Sequence, residues 1–264
     1  MDYQYILVDV KDRIATVTIN RPEYSNAFAR ESYFEIADAM NTLGAREVVG
    51  AIVITGAGKQ FSAGGESKRF KMLVDTGAYL KAEDIEAVSA MPMSIRNCPK
   101  PVIAMINGVA TGAGLSCALA CDFRIVEPSS KMIMAFVNMG LCGDNESIYT
   151  LMRLVGPDKA ELMMMTGDAY KGEQCVKTGL ATVLAEDGKL AETTYALAAK
   201  LASKSSTAHA GQKRLIRKYF YGGMENFAKD EGIEMAAASR KPDFTEAVNA
   251  FIEKRMPAYN LPHK

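Results

Sequence analysis

Two runs of small residues, Phe61-Ser62-Ala63-Gly64-Gly65 and Gly112-Ala113-Gly114, and one aspartate, Asp144, are the residues whose types and spacing could do chemistry in this sequence. Each run follows an apolar stretch suited to a buried strand, Val48 to Thr55 for the first and Pro101 to Ile106 for the second. The second run turns directly from its strand into Leu115 to Ala120, which reads as a buried helix. The N–H groups of that helix start stand at the positive end of its dipole with no side chain covering them. Two such backbones can each aim one N–H at a single oxygen and hold negative charge as it develops there. Taken alone, the Gly108, Gly112 and Gly114 pattern is only a tight turn that lets strand and helix pack closely. The second small-residue loop is what favours the oxyanion reading.

Asp144 lies in Met139-Gly140-Leu141-Cys142-Gly143-Asp144-Asn145-Glu146, ahead of a helical pattern reaching Val155. As a plain N-cap it would contribute roughly 1 kcal/mol. As a carboxylate among apolar neighbours it would have a raised pKa and could carry a proton. Glu146 is the reserve acid, or else a first-turn residue that suits the helix dipole. Cys142 reads as a small apolar residue, with no neighbouring base to make it a nucleophile. Met163 to Met165 could line an acyl pocket or simply fill the core. His209 and His263 are the only histidines, so a histidine-rich metal site is excluded. The five cysteines form no close C-x-x-C pair, and their odd number reads as reduced thiols rather than a disulfide framework.

The elements that must position these residues alternate between strand and helix. Tyr5 to Val10 and Ile14 to Asn20 read as a hairpin. Tyr33, Ile36, Ala37, Met40 and Leu43 recur at helical spacing until Gly44, and the strand after them completes a βαβ unit. Glu66 to about Ile95 is polar and helix-compatible, and Phe123 to Val126 and Met132 to Ala135 are short strands. Helices follow over Asp144 to Val155, Asp158 to Met165, Leu190 to Leu201, Gly211 to Tyr221 and Asp230 to Ala238. Lys plus Arg equals Asp plus Glu at 31 each, so no global field favours nucleic acid or an anionic membrane. No apolar run reaches the roughly 18 residues of a spanning helix, and no basic, apolar, small-residue leader opens the chain. The expectation is a soluble cytoplasmic α/β protein.

Asn20-Arg21-Pro22 with Asn26-Ala27, then Phe61 to Gly65, Ile106-Asn107-Gly108 through Gly114, Cys121-Asp122 and Phe251 to Pro257 together resemble the successive signatures of the crotonase, or enoyl-CoA hydratase/isomerase, family. The resemblance runs over nearly the whole chain. It implies a repeated ββα spiral core over residues 1–200 and a C-terminal helical trimerisation region over 201–264. It implies that the Gly65 and Ala113 N–H groups bind the thioester oxygen of an acyl-CoA, with Asp144 as the catalytic acid or base. Contacts to the substrate are implied at Ala27, Ala63, Lys68, Phe136 and Leu141, and at Lys254 across a subunit boundary. Solvated surface charge is the competing role for Lys68, Arg69 and Lys254. No cofactor is expected beyond the coenzyme A of the substrate, and the implied assembly is a homotrimer or homohexamer.

The sequence departs from the family's hydratases at the two places where they carry glutamates, which here hold Ser116 and Phe136. Water addition needs a positioned base and acid, so the departure favours a double-bond shift through Asp144, the place where some family isomerases carry an acid. A hydratase, lyase or decarboxylase using Asp144 or Glu146 is an alternative, as is a CoA-binding protein without chemistry. Resemblance to the 4-chlorobenzoyl-CoA dehalogenases is weakened because the chain has no tryptophan and no histidine before His209.

Overall fold

A computed structural model describes residues 2–259; His263 lies outside them. Strands β1 (Ile6–Lys11) and β2 (Ile14–Ile19) form the antiparallel hairpin. Helix α1 (Arg30–Ala45) buries Tyr33, Ile36, Ala37, Met40 and Leu43, the spacing that puts them on one face, and β3 (Ala51–Gly56) then pairs parallel with β2. The polar stretch that follows resolves into α2 (Ser67–Thr76), α3 (Ala82–Val88) and α4 (Ala90–Asn97). Next come β4 (Val102–Ile106), β5 (Val109–Thr111), α5 (Ala113–Ala120), β6 (Phe123–Val126) and β7 (Lys131–Ile133). A 3₁₀ turn over Ala135–Met139 leads to α6 (Ser147–Val155) and α7 (Pro157–Thr166). The chain closes with β8 (Ala169–Lys171), α8 (Gly172–Thr178), β9 (Val183–Leu184), α9 (Leu190–Ala202), α10 (Ser206–Tyr219), α11 (Met224–Ser239) and α12 (Pro242–Ile252).

The strands form a six-stranded sheet in the order β1-β2-β3-β4-β6-β9 and a three-stranded sheet in the order β5-β7-β8. From β2 to β9 every pairing in the large sheet is parallel. Such a sheet must be covered on both faces. Alternation along β3 divides the cover: Ile52 and Ile54 join the main core with α1, while Ala51 and Val53 pack with Ala198 and Ala202 of α9. The Cys121-Asp122 pair ties this frame together, because Asp122 Oδ2 accepts the Val102 N–H at 2.8 Å and the Lys213 ammonium of α10 at 2.5 Å.

Two expectations change in detail. The strand after Pro101 does not turn straight into a helix; it ends at Ile106, and β5 peels away into the second sheet before α5 begins. The crossing is tight, since a Cβ on Gly108 would meet Lys59 O at 2.1 Å. Asp144 does not cap a helix either: α6 starts at Ser147, and its N-cap position is Glu146. The loop bends through left-handed backbone at Asn145 and Glu146, so the polar pattern before the helix belongs to the bend.

Candidate active site

The first small-residue loop is held from both ends. Asn26 Nδ2 donates to Ala57 O and Gln60 O, and the Asn26 carbonyl accepts the Ser62 hydroxyl at 2.8 Å. Arg21 donates to Ala27 O at 2.6 Å and reaches Glu66 at 3.0 Å, bridging the residues before and after the loop. The Phe28 N–H bonds Gly64 O. These contacts leave the Gly65 backbone at the cavity wall, between Gly64 and the start of α2.

The second loop packs directly on the first. Ser62 and Thr111 exchange backbone hydrogen bonds with the other strand through Ser62 N to Val109 O and Thr111 N to Ser62 O. A Cβ on Gly114 would stand 2.6 Å from Ser62 O, and one on Gly64 would stand 2.7 Å from Thr111 O and 3.3 Å from Ala113 N. Only glycine at 64 and 114 permits this approach. Ala113 is the first residue of α5, so its N–H is among those a helix leaves without an internal partner. Gly65 and Ala113 both line one cavity of about 330 Å³.

That cavity is walled by Phe28, Phe70, Leu80, Ile85, Val88 and Met235, with Tyr33, Arg69 and two carboxylates among its polar members. Glu66 is paired with Arg21. Asp144 is buried, its Oδ1 accepts the Asn145 amide at 2.6 Å, and burial pushes its carboxyl up to about 6 against the lowering pull of that bond and of Arg69. Ser116 of α5 donates to the Asp144 backbone carbonyl at 3.2 Å and so fixes the aspartate loop. Tyr33 faces the same space; burial first, then the Asp144 charge, push its phenol well above the usual range. Burial raises the Cys142 thiol to about 11, which leaves no thiolate nucleophile at neutral pH.

Six of the residues expected at the site, Ala63, Gly65, Ala113, Phe136, Leu141 and Asp144, line this cavity. Ala27 lies buried just outside it, its carbonyl held by Arg21. Lys68 is exposed, with its ammonium 4.8 Å from the Tyr24 ring centre, and Lys254 is exposed beyond the end of α12; neither is part of the wall. Glu146 is fully buried outside the cavity, and burial pushes its carboxyl up to about 8 against the lowering pull of the Ser89 hydroxyl. Of the three methionines, Met163 fills core and Met165 is exposed. Tyr33 and Met235 were not expected here. A hydroxyl on an otherwise apolar helix face was the available signal for Tyr33, whereas Met235 reaches the wall only because α11 folds back over α3.

The Enoyl-CoA hydratase/isomerase family profile matches residues 9–261. The chain is similar to trans-2-decenoyl-[acyl-carrier-protein] isomerase of Streptococcus mutans, 30% identical over 260 residues that cover 98% of this chain and 99% of that one. It is also similar to 1,2-epoxyphenylacetyl-CoA isomerase of Escherichia coli, 30% identical over 261 residues covering 97% and 98%. The solved enoyl-CoA hydratase/isomerase of Pseudoalteromonas atlantica superposes with a TM-score of 0.84 at 29% identity over 97% of this chain and 100% of that one.

Proposed function

Because the chain belongs to the enoyl-CoA hydratase/isomerase family, we propose that it moves a double bond within an acyl thioester, using Asp144 as the proton carrier. The thioester oxygen sits between the Gly65 and Ala113 N–H groups. Donors aimed at that oxygen stabilise the enolate more than the ground state, which lowers the cost of removing a proton conjugated to the carbonyl. With a pKa of about 6, Asp144 is ionised at neutral pH and still basic enough to act. In a 3-enoyl thioester it takes a proton from C2, the electrons flow into the thioester oxygen and the double bond, and the same carboxyl returns the proton at C4. The product is the 2-enoyl thioester, and the aspartate ends as it began.

The observation that carries this reading is the count of free carboxylates in the wall. Glu66 is tied to Arg21, and Ser116 and Phe136 stand where the family's hydratases place glutamates, which leaves Asp144 as the carboxylate available for proton transfer. A shift of one proton between two carbons needs one such group; adding water needs a base for the water and an acid for the carbon. The two relatives named above as isomerases support the same choice. The S. mutans relative's name also brings an acyl-carrier protein into consideration as the thioester carrier.

The test is incubation with 3-enoyl thioesters of coenzyme A and of an acyl-carrier protein, with products separated by mass. Conversion to an isomer of unchanged mass is expected. A product heavier by one water with no isomer formed overturns the isomerase reading, and binding without turnover points to a protein that has kept the pocket and lost the chemistry.

A further inference from the structure

Helix α6 begins without a cap of its own. Glu146, at its N-cap position, stands at a left-handed φ of 52°, and no local side chain accepts an N–H there. Asn145 is left-handed as well, at φ 55°. Left-handed backbone at two consecutive non-glycine residues costs free energy, which at this buried bend the surroundings must offset. The free N–H groups of a buried helix start also need acceptors from elsewhere.

Glu231 meets both needs from another helix. It lies in α11, is 4% exposed, and its Oε2 accepts the Glu146 N–H at 2.7 Å. Burial and the Asp144 and Glu146 charges push its carboxyl well up, while the backbone N–H groups of Glu146 and Ile148 pull the other way. The Glu146 carboxyl is buried beside it, and Asn145 Oδ1 and Ser147 Oγ are buried with no hydrogen-bond partner. An apolar residue at 231 would remove part of that electrostatic cost, so the carboxyl is best accounted for by the bond it makes. Its helix is a firm anchor: Gly232 packs so closely on α3 that a Cβ there would meet Ala82 O at 3.0 Å, and Met235 lines the cavity.

We propose that Glu231 is a positioning residue for the proton transfer: it caps α6 from α11 and thereby locks the Asn145–Glu146 bend that aims Asp144 into the cavity. Ser116 of α5 and the Ser147 N–H of α6 hold the Asp144 carbonyl, so the loop that carries the aspartate is held from α5, α6 and α11. The proposal rests on the reading of Asp144 as the proton carrier.

Turnover of a 3-enoyl-CoA by Glu231→Leu, Glu231→Gln, Asp144→Asn and the Asp144→Asn/Glu231→Leu double variant tests it, with circular dichroism as the check on folding. Glu231→Leu is expected to lower kcat by about 10²-fold, the scale of a misplaced catalytic group, while KM stays within about threefold of wild type. Glu231→Gln, whose amide oxygen can accept the same N–H, is expected to recover most of that loss. In the double variant Glu231→Leu should add nothing to the loss from Asp144→Asn, because both act through one group. A wild-type kcat in Glu231→Leu, or losses that add in the double variant, overturns the proposal. Should Glu231→Leu not fold, Glu231→Ala takes its place in the cycle, and Glu231→Gln decides alone: a kcat loss above about tenfold in that variant would contradict a cap that needs only an acceptor. Full activity in Asp144→Asn would instead remove the proton-transfer reading itself, a result separable from the failure of Glu231 alone.

Discussion

Burial pushes the Asp144 carboxyl up to about 6, and that shift bears on both rate and stability. As the base, Asp144 must be ionised, so kcat/KM should rise with pH through about 6 and level off above it; a flat profile from pH 5 to 8 would contradict the assignment. For stability the sign is the reverse. The ordinary carboxyl value is 3.8, so between about pH 4 and 6 the unfolded chain loses this proton while the folded chain keeps it, and stability falls across that window and stays lower above it. A shift of about 2 units corresponds to about 3 kcal/mol. Asp144→Asn keeps the oxygen that accepts the Asn145 amide, so urea titration at pH 7 should find this variant more stable than wild type by roughly 1–3 kcal/mol, with no gain at pH 4. Ser116→Ala removes the bond to the Asp144 carbonyl and should cost about 1 kcal/mol, lowering turnover about fivefold if that energy is felt at the transition state.

At the scale of elements, the proposed oxyanion site depends on two loops touching where side chains are absent. Gly114 lies inside α5, where alanine is the better helix former, yet its Cβ would stand 2.6 Å from Ser62 Cβ and Ser62 O. Gly114→Ala should therefore force the loops apart and lower kcat/KM by roughly 10²–10³-fold, the effect of losing an oxyanion donor. Gly77→Ala is the control: it ends α2 at a φ of 67° with nothing within 4 Å of a Cβ, so it should lose roughly 1 kcal/mol of stability and keep turnover. Equal activity in the two variants, measured on folded protein, would show that loop contact is not what the site requires. Both loops, α1 and the strands around them were legible in the sequence, because small-residue runs after apolar strands and apolar spacing of three and four are local signals. The change of sheet at β5 and the bend at Asn145–Glu146 were not, since each depends on a neighbour distant in sequence: Lys59 under Gly108, and Glu231 under Glu146.

At the scale of the molecule, the C-terminal helices do more than was expected of them. Phe244 is fully buried against Phe70, Phe227 packs on Tyr149, and Met235 and Phe251 line the cavity. Other apolar side chains do remain outside: Leu215, Ile216 and Tyr219 of α10 and Phe220 just after it are 51–75% exposed. A trimer or hexamer would cover such a surface, and light scattering should give three or six times the chain mass; a clean monomer at micromolar concentration would remove any role for a neighbour's Lys254 in binding coenzyme A. No described helix is long and apolar enough to cross a membrane. The most direct measurement of the central claim is the turnover of a 3-enoyl thioester by Asp144→Asn beside its calorimetric affinity for the same acyl carrier. With the fold and the two oxyanion loops intact, affinity should stay near the wild-type value while isomerisation falls by roughly 10²-fold or more. Isomerisation at the wild-type rate in that variant would contradict the account, because the proton would then travel by a route that does not include Asp144.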